Sequence, residues 1–229
     1  MDTALADRLA DVDERIAAAA RDAGRDPGSI TRIVVTKFHP ASLVRELHAL
    51  GVRDVGENRQ QELTAKTAEL ADLPDLRWHF IGQAQTNKAR AIRAAASAVH
   101  SVDRDRLADA LHGAGDPDAA VLDVLVQINL TDDPGRGGVT PAGAEALAAH
   151  VAGLPSLRLR GVMAVAPLDE DPRRAFERLR ASAERVRAVV PGADWISAGM
   201  THDFADAIAT GATHLRIGSA ITGPRPVHP

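Results

Sequence analysis

Cysteine and tyrosine are both absent from this 229-residue chain, and aromatic residues together make up only 3% of it. Without cysteine there are no disulfides, thiolate nucleophiles or iron–sulfur ligands. Without tyrosine no phenol can serve as an acid or base. No apolar run approaches the roughly 20 residues of a membrane span. The acidic start, Met1-Asp2-Thr3, lacks the basic residues of a secretion signal. Charge is not concentrated either. The formal net charge is -4 and the Lys and Arg residues are scattered, so neither a nucleic-acid groove nor a membrane surface is indicated. Cytoplasmic residence is the resulting expectation. The histidines fall without metal-ligand spacing, and no phosphate-loop, zincin or strand-linked dinucleotide motif occurs, so no metal site is expected.

What is present is a 45% hydrophobic chain long enough for one large α/β domain spanning residues 1–229. A helical stretch over residues 3–23 comes first. Apolar strand-like runs follow at 30–37, 52–56, 77–82, 98–102, 121–129, 157–165, 194–198 and 214–218. Between them lie Ala-rich helical stretches beginning near Ala41, Gln60, Lys88, Arg104, Pro141, Pro172 and Asp203, with none expected after the last strand. Residues 113–117 and 132–138 read as short turns. Eight strand-helix alternations predict a single (β/α)8 TIM-type barrel with an extra N-terminal helix. A doubly wound sheet normally opens on a glycine-rich turn, whereas the first turn here is Lys37-Phe38-His39-Pro40.

In such a barrel the residues after each strand gather on one face. Lys37 stands first among them. It ends the β-branched run Ile33-Val34-Val35-Thr36. An amine emerging from a buried strand is partly desolvated, which suits covalent chemistry at a carbonyl. At the other end of the chain, Ser197-Ala198-Gly199-Met200-Thr201-His202-Asp203 and Arg216-Ile217-Gly218-Ser219 supply small residues, hydroxyls and free N–H groups after strands seven and eight. Barrels frequently bind phosphate there. Taken singly, Thr201 reads equally as a helix N-cap, and Lys37 more readily as a strand-end lysine reaching water.

Several segments, in order along nearly the whole chain, resemble the pyridoxal phosphate homeostasis proteins. They are Val34-Val35-Thr36-Lys37, Gly56-Glu57-Asn58-Arg59-Gln60-Gln61-Glu62, Trp78-His79-Phe80-Ile81-Gly82, Gln85-Thr86-Asn87-Lys88, Arg160-Gly161-Val162-Met163, Ser197-Ala198-Gly199-Met200 and Arg216-Ile217-Gly218-Ser219-Ala220. The resemblance implies a barrel similar to the barrel domain of bacterial alanine racemase, with pyridoxal 5'-phosphate held as a Schiff base on Lys37. It also implies Arg216 at the pyridine nitrogen, Asn58 and His79 in the cofactor site, and Ser197, Gly199, Met200, Thr201, Gly218 and Ser219 around the phosphate. A monomer that regulates free cofactor or delivers it to apo-enzymes is expected, with no catalytic residues.

The chain departs from the family pattern at three places. Thr201-His202-Asp203 stands where relatives commonly carry serine and two aspartates, Gln83-Ala84 replaces Pro-Leu, and Thr36 replaces a frequent serine. Two enzymatic alternatives stay open: a weak amino-acid racemase with His79 or His202 as second acid/base, and a Schiff-base aldolase acting on a sugar phosphate.

Overall fold

The computed structural model describes residues 3–116 and 120–225. Pro117, the end of one expected turn, lies outside the described residues. Eight parallel strands close in chain order: β1 (Thr31–Val35), β2 (Asp54–Glu57), β3 (Arg77–Phe80), β4 (Ala98–Val102), β5 (Leu122–Gln127), β6 (Leu157–Met163), β7 (Trp195–Ser197) and β8 (His214–Ile217). β8 pairs back onto β1 through Thr31 opposite His214 and Val34 opposite Ile217. Helices α1 (Thr3–Asp22), α2 (Ala41–Ala49), α3 (Gln60–Glu69), α4 (Ala89–Ala95), α5 (Asp105–Gly113), α6 (Ala144–Ala152), α7 (Pro172–Val189), α8 (Phe204–Ala209) and α9 (Ser219–Thr222) complete it. The expected (β/α)8 barrel with an additional N-terminal helix is the architecture found.

Most strands are shorter than their apolar runs, and the reason is local. β1 stops at Val35 because Phe38 adopts φ +69°, the sole positive φ among described non-glycine residues, which turns the chain at Lys37. A 3-10 turn over Pro141–Gly143 delays α6 to Ala144. The unexpected α9 is a single turn whose four residues are too few to show helical periodicity.

Both strand faces are buried. Val34, Val55, Phe80, Val99, Val124 and Val126 pack into the shell between sheet and helices, and the residues alternating with them enter the barrel. Gly161 marks a bulge where β6 approaches β7. A Cβ there would lie 1.9 Å from the Trp195 carbonyl oxygen, at φ +150°, so only glycine fits. α1 buries Leu5, Leu9, Val12, Ile16 and Ala20, spaced three and four apart, and packs against α8 and α9. Each large aliphatic residue contributes about 1.5–3 kcal/mol by leaving water. Arg8 Nε donates to the Ile221 carbonyl (2.8 Å), tying α1 to the short helix that helps frame the barrel mouth.

Candidate functional site

A cavity of about 530 Å³ opens at the C-terminal ends of β1, β2, β3, β7 and β8, the face on which this fold carries its chemistry. Lys37 lies just past β1 and is half-buried. Its Nζ has no hydrogen-bond or ion-pair partner among the described residues, and it lies over the Phe38 ring, 5.8 Å from nitrogen to centroid. Across the cavity, Met200 and Thr201 after β7 face Gly218 and Ser219 after β8. The Thr201 and Ser219 hydroxyls, and the backbone N–H groups of Thr201, Gly218 and Ser219, are likewise without partners among the described residues. Asn58 also lines the cavity, and its buried Oδ1 is unsatisfied. An unpaired buried acceptor costs about 1–3 kcal/mol unless a ligand donates to it. A free amine, a cup of free donors and an orphaned acceptor in one cavity fit a phosphorylated aldehyde.

The turn that presents Lys37 is held on both sides. Thr36 Oγ1 donates to Glu57 Oε1 (2.6 Å), and Lys66 Nζ donates to that oxygen (2.5 Å) and to the Thr36 carbonyl (2.8 Å). Phe38 N–H donates to Glu62 Oε2 (2.7 Å). Burial raises the Glu57 carboxyl, against the pull of Lys66 and Thr36, and the charge of Glu62 raises it further. The motif residues Glu57, Asn58 and Glu62 therefore serve this turn and the cavity together. The conformation of Phe38 costs about 1–3 kcal/mol, and the charged acceptor at Glu62 offsets it. Glu62→Ala is expected to destabilise the fold by about 1–3 kcal/mol in calorimetry. Glu62→Gln, which keeps an acceptor oxygen, should recover most of the loss; equal loss in both variants would contradict this account of the turn.

Arg216 also lines the cavity yet is only 5% exposed. Nη1 donates to the Ser197 carbonyl and to Ser197 Oγ (both 2.7 Å), and Nη2 donates to the Ala164 carbonyl (2.8 Å). Three of its five N–H groups are thus bound within the protein, leaving two for the cavity. Burial lowers its pKa to about 10, with Asp203 opposing, so it stays charged at neutral pH.

Of the residues expected at the site, Lys37, Asn58, Met200, Thr201, Arg216, Gly218 and Ser219 are brought together. Three are not. Ser197 is fully buried behind Arg216 and bonds His100. Gly199 sits one layer back at φ +91°, where a Cβ would crowd Ala207 and Leu215, and its carbonyl accepts from Arg216 N–H. His79 lies inside the barrel, bonded to His100 and Asp54. Ser197 and His79 share the inner face of the barrel with Arg216 but lie a layer deeper along its axis, and Gly199 meets the cavity floor only through its backbone. Sequence reasoning did not single out His39, Phe38 or Arg225 as lining residues. The Arg225 guanidinium stacks 4.1 Å from the Phe38 ring at the rim, a contact between segments far apart in sequence that local sequence carries no signal for. Burial and the nearby Lys66 keep His39 below the usual histidine range. No described helix is long and apolar enough to cross a membrane, and no cluster of metal-ligating side chains occurs among the described residues.

This closed parallel barrel belongs to the alanine racemase N-terminal domain class, whose family model matches residues 11–226. Within it, the chain belongs to the pyridoxal phosphate homeostasis protein family: the member of that name from Pseudomonas aeruginosa is 45% identical over 224 residues, covering 96% of each chain. PipY of Synechococcus elongatus PCC7942, solved with PLP bound, superposes with a TM-score of 0.84 at 35% identity, over 96% of this chain and 100% of its own. Alanine racemase from Corynebacterium glutamicum shares the fold at a TM-score of 0.70 and 17% identity, over 98% of this chain and 62% of that one.

Proposed function

We propose that this protein binds pyridoxal 5'-phosphate through Lys37 and holds it for other proteins to use, a carrier and buffer of the cofactor rather than a catalyst. The observation that carries the reading is the unpartnered Lys37 amine sharing one cavity with the unpartnered donors of Thr201, Gly218 and Ser219. Bound there, the cofactor supplies an aldehyde that condenses with a primary amine. Lys37 offers that amine, the two small-residue turns hold the phosphate dianion, and Asn58 Oδ1 gains a donor. Arg216 would hold the ring nitrogen by donating to it, without protonating it. An unprotonated ring withdraws few electrons, so the site favours storage over carbanion chemistry. The carrier acts as a single cytoplasmic domain and a monomer, with apo-enzymes that need the cofactor as recipients.

The experiment mixes cofactor-loaded protein with a pyridoxal-phosphate enzyme stripped of its cofactor and follows the recovery of that enzyme's activity. Recovery faster than the loaded protein loses cofactor by itself in buffer supports delivery by contact; recovery limited by that loss supports buffering alone. No recovery at all counts against both. A second reading, weak racemisation, is favoured by one observation: the exposed His202 lines the cavity and is a titratable group beside the cup. Incubation with L-alanine separates the two readings. The carrier gives no measurable D-alanine, whereas turnover near the enzymatic range of about 1 s⁻¹ or above would establish the racemase.

A further inference from the structure

Arg216 is one end of a hydrogen-bonded chain that crosses the barrel interior. Ser197 Oγ, which accepts from Arg216, lies 2.9 Å from His100 Nδ1. His100 Nε2 lies 2.9 Å from His79 Nδ1, and His79 Nε2 lies 3.0 Å from Asp54 Oδ1. Five strands, β8, β7, β4, β3 and β2, each contribute one member. None is more than 8% exposed. Asp54, at the first residue of β2, is held by Arg77 at the start of β3, so the chain ends at the mouth opposite the cavity.

The two ends give the chain one direction. A guanidinium only donates and a carboxylate only accepts. Among the described residues Ser197 Oγ bonds only Arg216, which donates, and His100 Nδ1, so its own hydroxyl proton finds an acceptor only at His100 Nδ1. His100 therefore carries its proton on Nε2 and donates it to His79 Nδ1. His79 likewise carries Nε2–H and donates to Asp54. In this arrangement every donor meets an acceptor. Burial, reinforced by His79, Arg216 and His214, holds His100 well below the usual histidine range. Burial alone would raise Asp54, but His79 and Arg77 bring it down to about 2, so the accepting end stays a carboxylate.

We propose that His100 and His79 are positioning residues for Arg216, locked in their Nε2–H tautomers by the Asp54–Arg77 pair, so that the opposite barrel mouth sets how Arg216 donates into the cavity. The inference rests on the reading of that cavity as a pyridoxal phosphate site. Interiors of this fold are usually filled by apolar layers, and a directed polar chain adds what such layers cannot: each bond polarises the next. The other groups facing it are His214, 6.5 Å from both rings, Arg160 over Trp195, which stacks on His214, and Asp203 near Arg216.

Two measurements test it. Nitrogen-15 spectra of the wild-type histidine rings at about pH 7.5, assigned with His79→Gln and His100→Gln, should show both residues as Nε2–H tautomers. An Nδ1–H tautomer at either one reverses a link and overturns the proposal. In the second, wild type, His100→Leu and Asp54→Asn are loaded with pyridoxal phosphate, and the visible band is titrated with pH while thermal midpoints are recorded in parallel. The band's pH midpoint should move by roughly half a unit or more in both variants, although Asp54 touches no part of the cavity. Lower thermal midpoints with an unmoved band mean that the chain only stabilises the barrel, which sinks the inference and leaves the cofactor reading standing. No band in wild type removes both. Should the variants fail to fold, the wild-type tautomers decide.

Discussion

Lys37→Ala is expected to abolish the visible absorption band that the wild-type protein acquires on mixing with pyridoxal phosphate and desalting. The chain contains only three lysines. Lys66 is buried and committed to Glu57 and to the Thr36 carbonyl, and Lys88 lies on the 3-10 turn before α4, away from the cavity. Lys37 alone presents an amine to the donor cup. Its side chain makes no hydrogen bond or ion pair among the described residues, so removing it should change folding stability by less than about 1 kcal/mol. The effect is thus complete loss of the covalent link on an intact barrel. Borohydride reduction followed by peptide mapping provides the check: the adduct falls on the peptide containing Lys37 in wild type and is missing from the variant. An adduct on the Lys66 or Lys88 peptide, or an undiminished band in the variant, would refute the assignment.

The second large effect is acid lability above the carboxylate range. Burial, with a contribution from His79, lowers His214 to about 3, and burial also holds His100 well below its ordinary value. Unfolded histidines titrate near 6.5. Between that value and the folded pKa the unfolded chain binds the proton and the folded chain does not, so stability falls as pH falls. Each histidine contributes a slope of about 1.4 kcal/mol per pH unit, and the pair about 2.7. From pH 6 to 4 the loss from His214, with its folded pKa of about 3, is about 2.5 kcal/mol, and His100 adds to it in the same direction. Asp54 adds to it only lower down: its depressed pKa stabilises the fold above about 3.8, and that stability is lost as pH falls toward about 2. Glu57, raised by burial, works in the opposite sense, as one group against three lowered histidines, His39 included. Denaturant titrations between pH 7.5 and 5 read the slope directly, and His214→Gln should cut it by about half. A flat profile over that interval would show that the buried histidines accept protons without unfolding.

The barrel itself was legible from the chain. Eight apolar runs alternating with helical stretches leave few ways to bury every strand on both faces, and α1 announces itself through Leu5, Leu9, Val12 and Ile16. The cavity was largely legible too, because residues just beyond strand ends must collect at one mouth of a closed parallel barrel. That places Lys37, Asn58, Thr201 and Ser219 together before any coordinate is known.

Residues within the strands were not legible in the same way. In a barrel both faces of a strand are buried, so alternation marks two faces without saying which is inner, and the height of a side chain along the axis depends on register and tilt across all eight strands. His79 and Ser197 therefore looked like site residues, and only tertiary closure put them, with His100, one layer beneath Arg216. The same holds for the Phe38–Arg225 contact at the rim, where the first turn and the last described residue meet. Local chemistry determined which residues could act and at which mouth. Closure of the sheet decided which of them reach the cavity and which form the hydrogen-bonded interior behind it, because that choice depends on strands far apart in sequence.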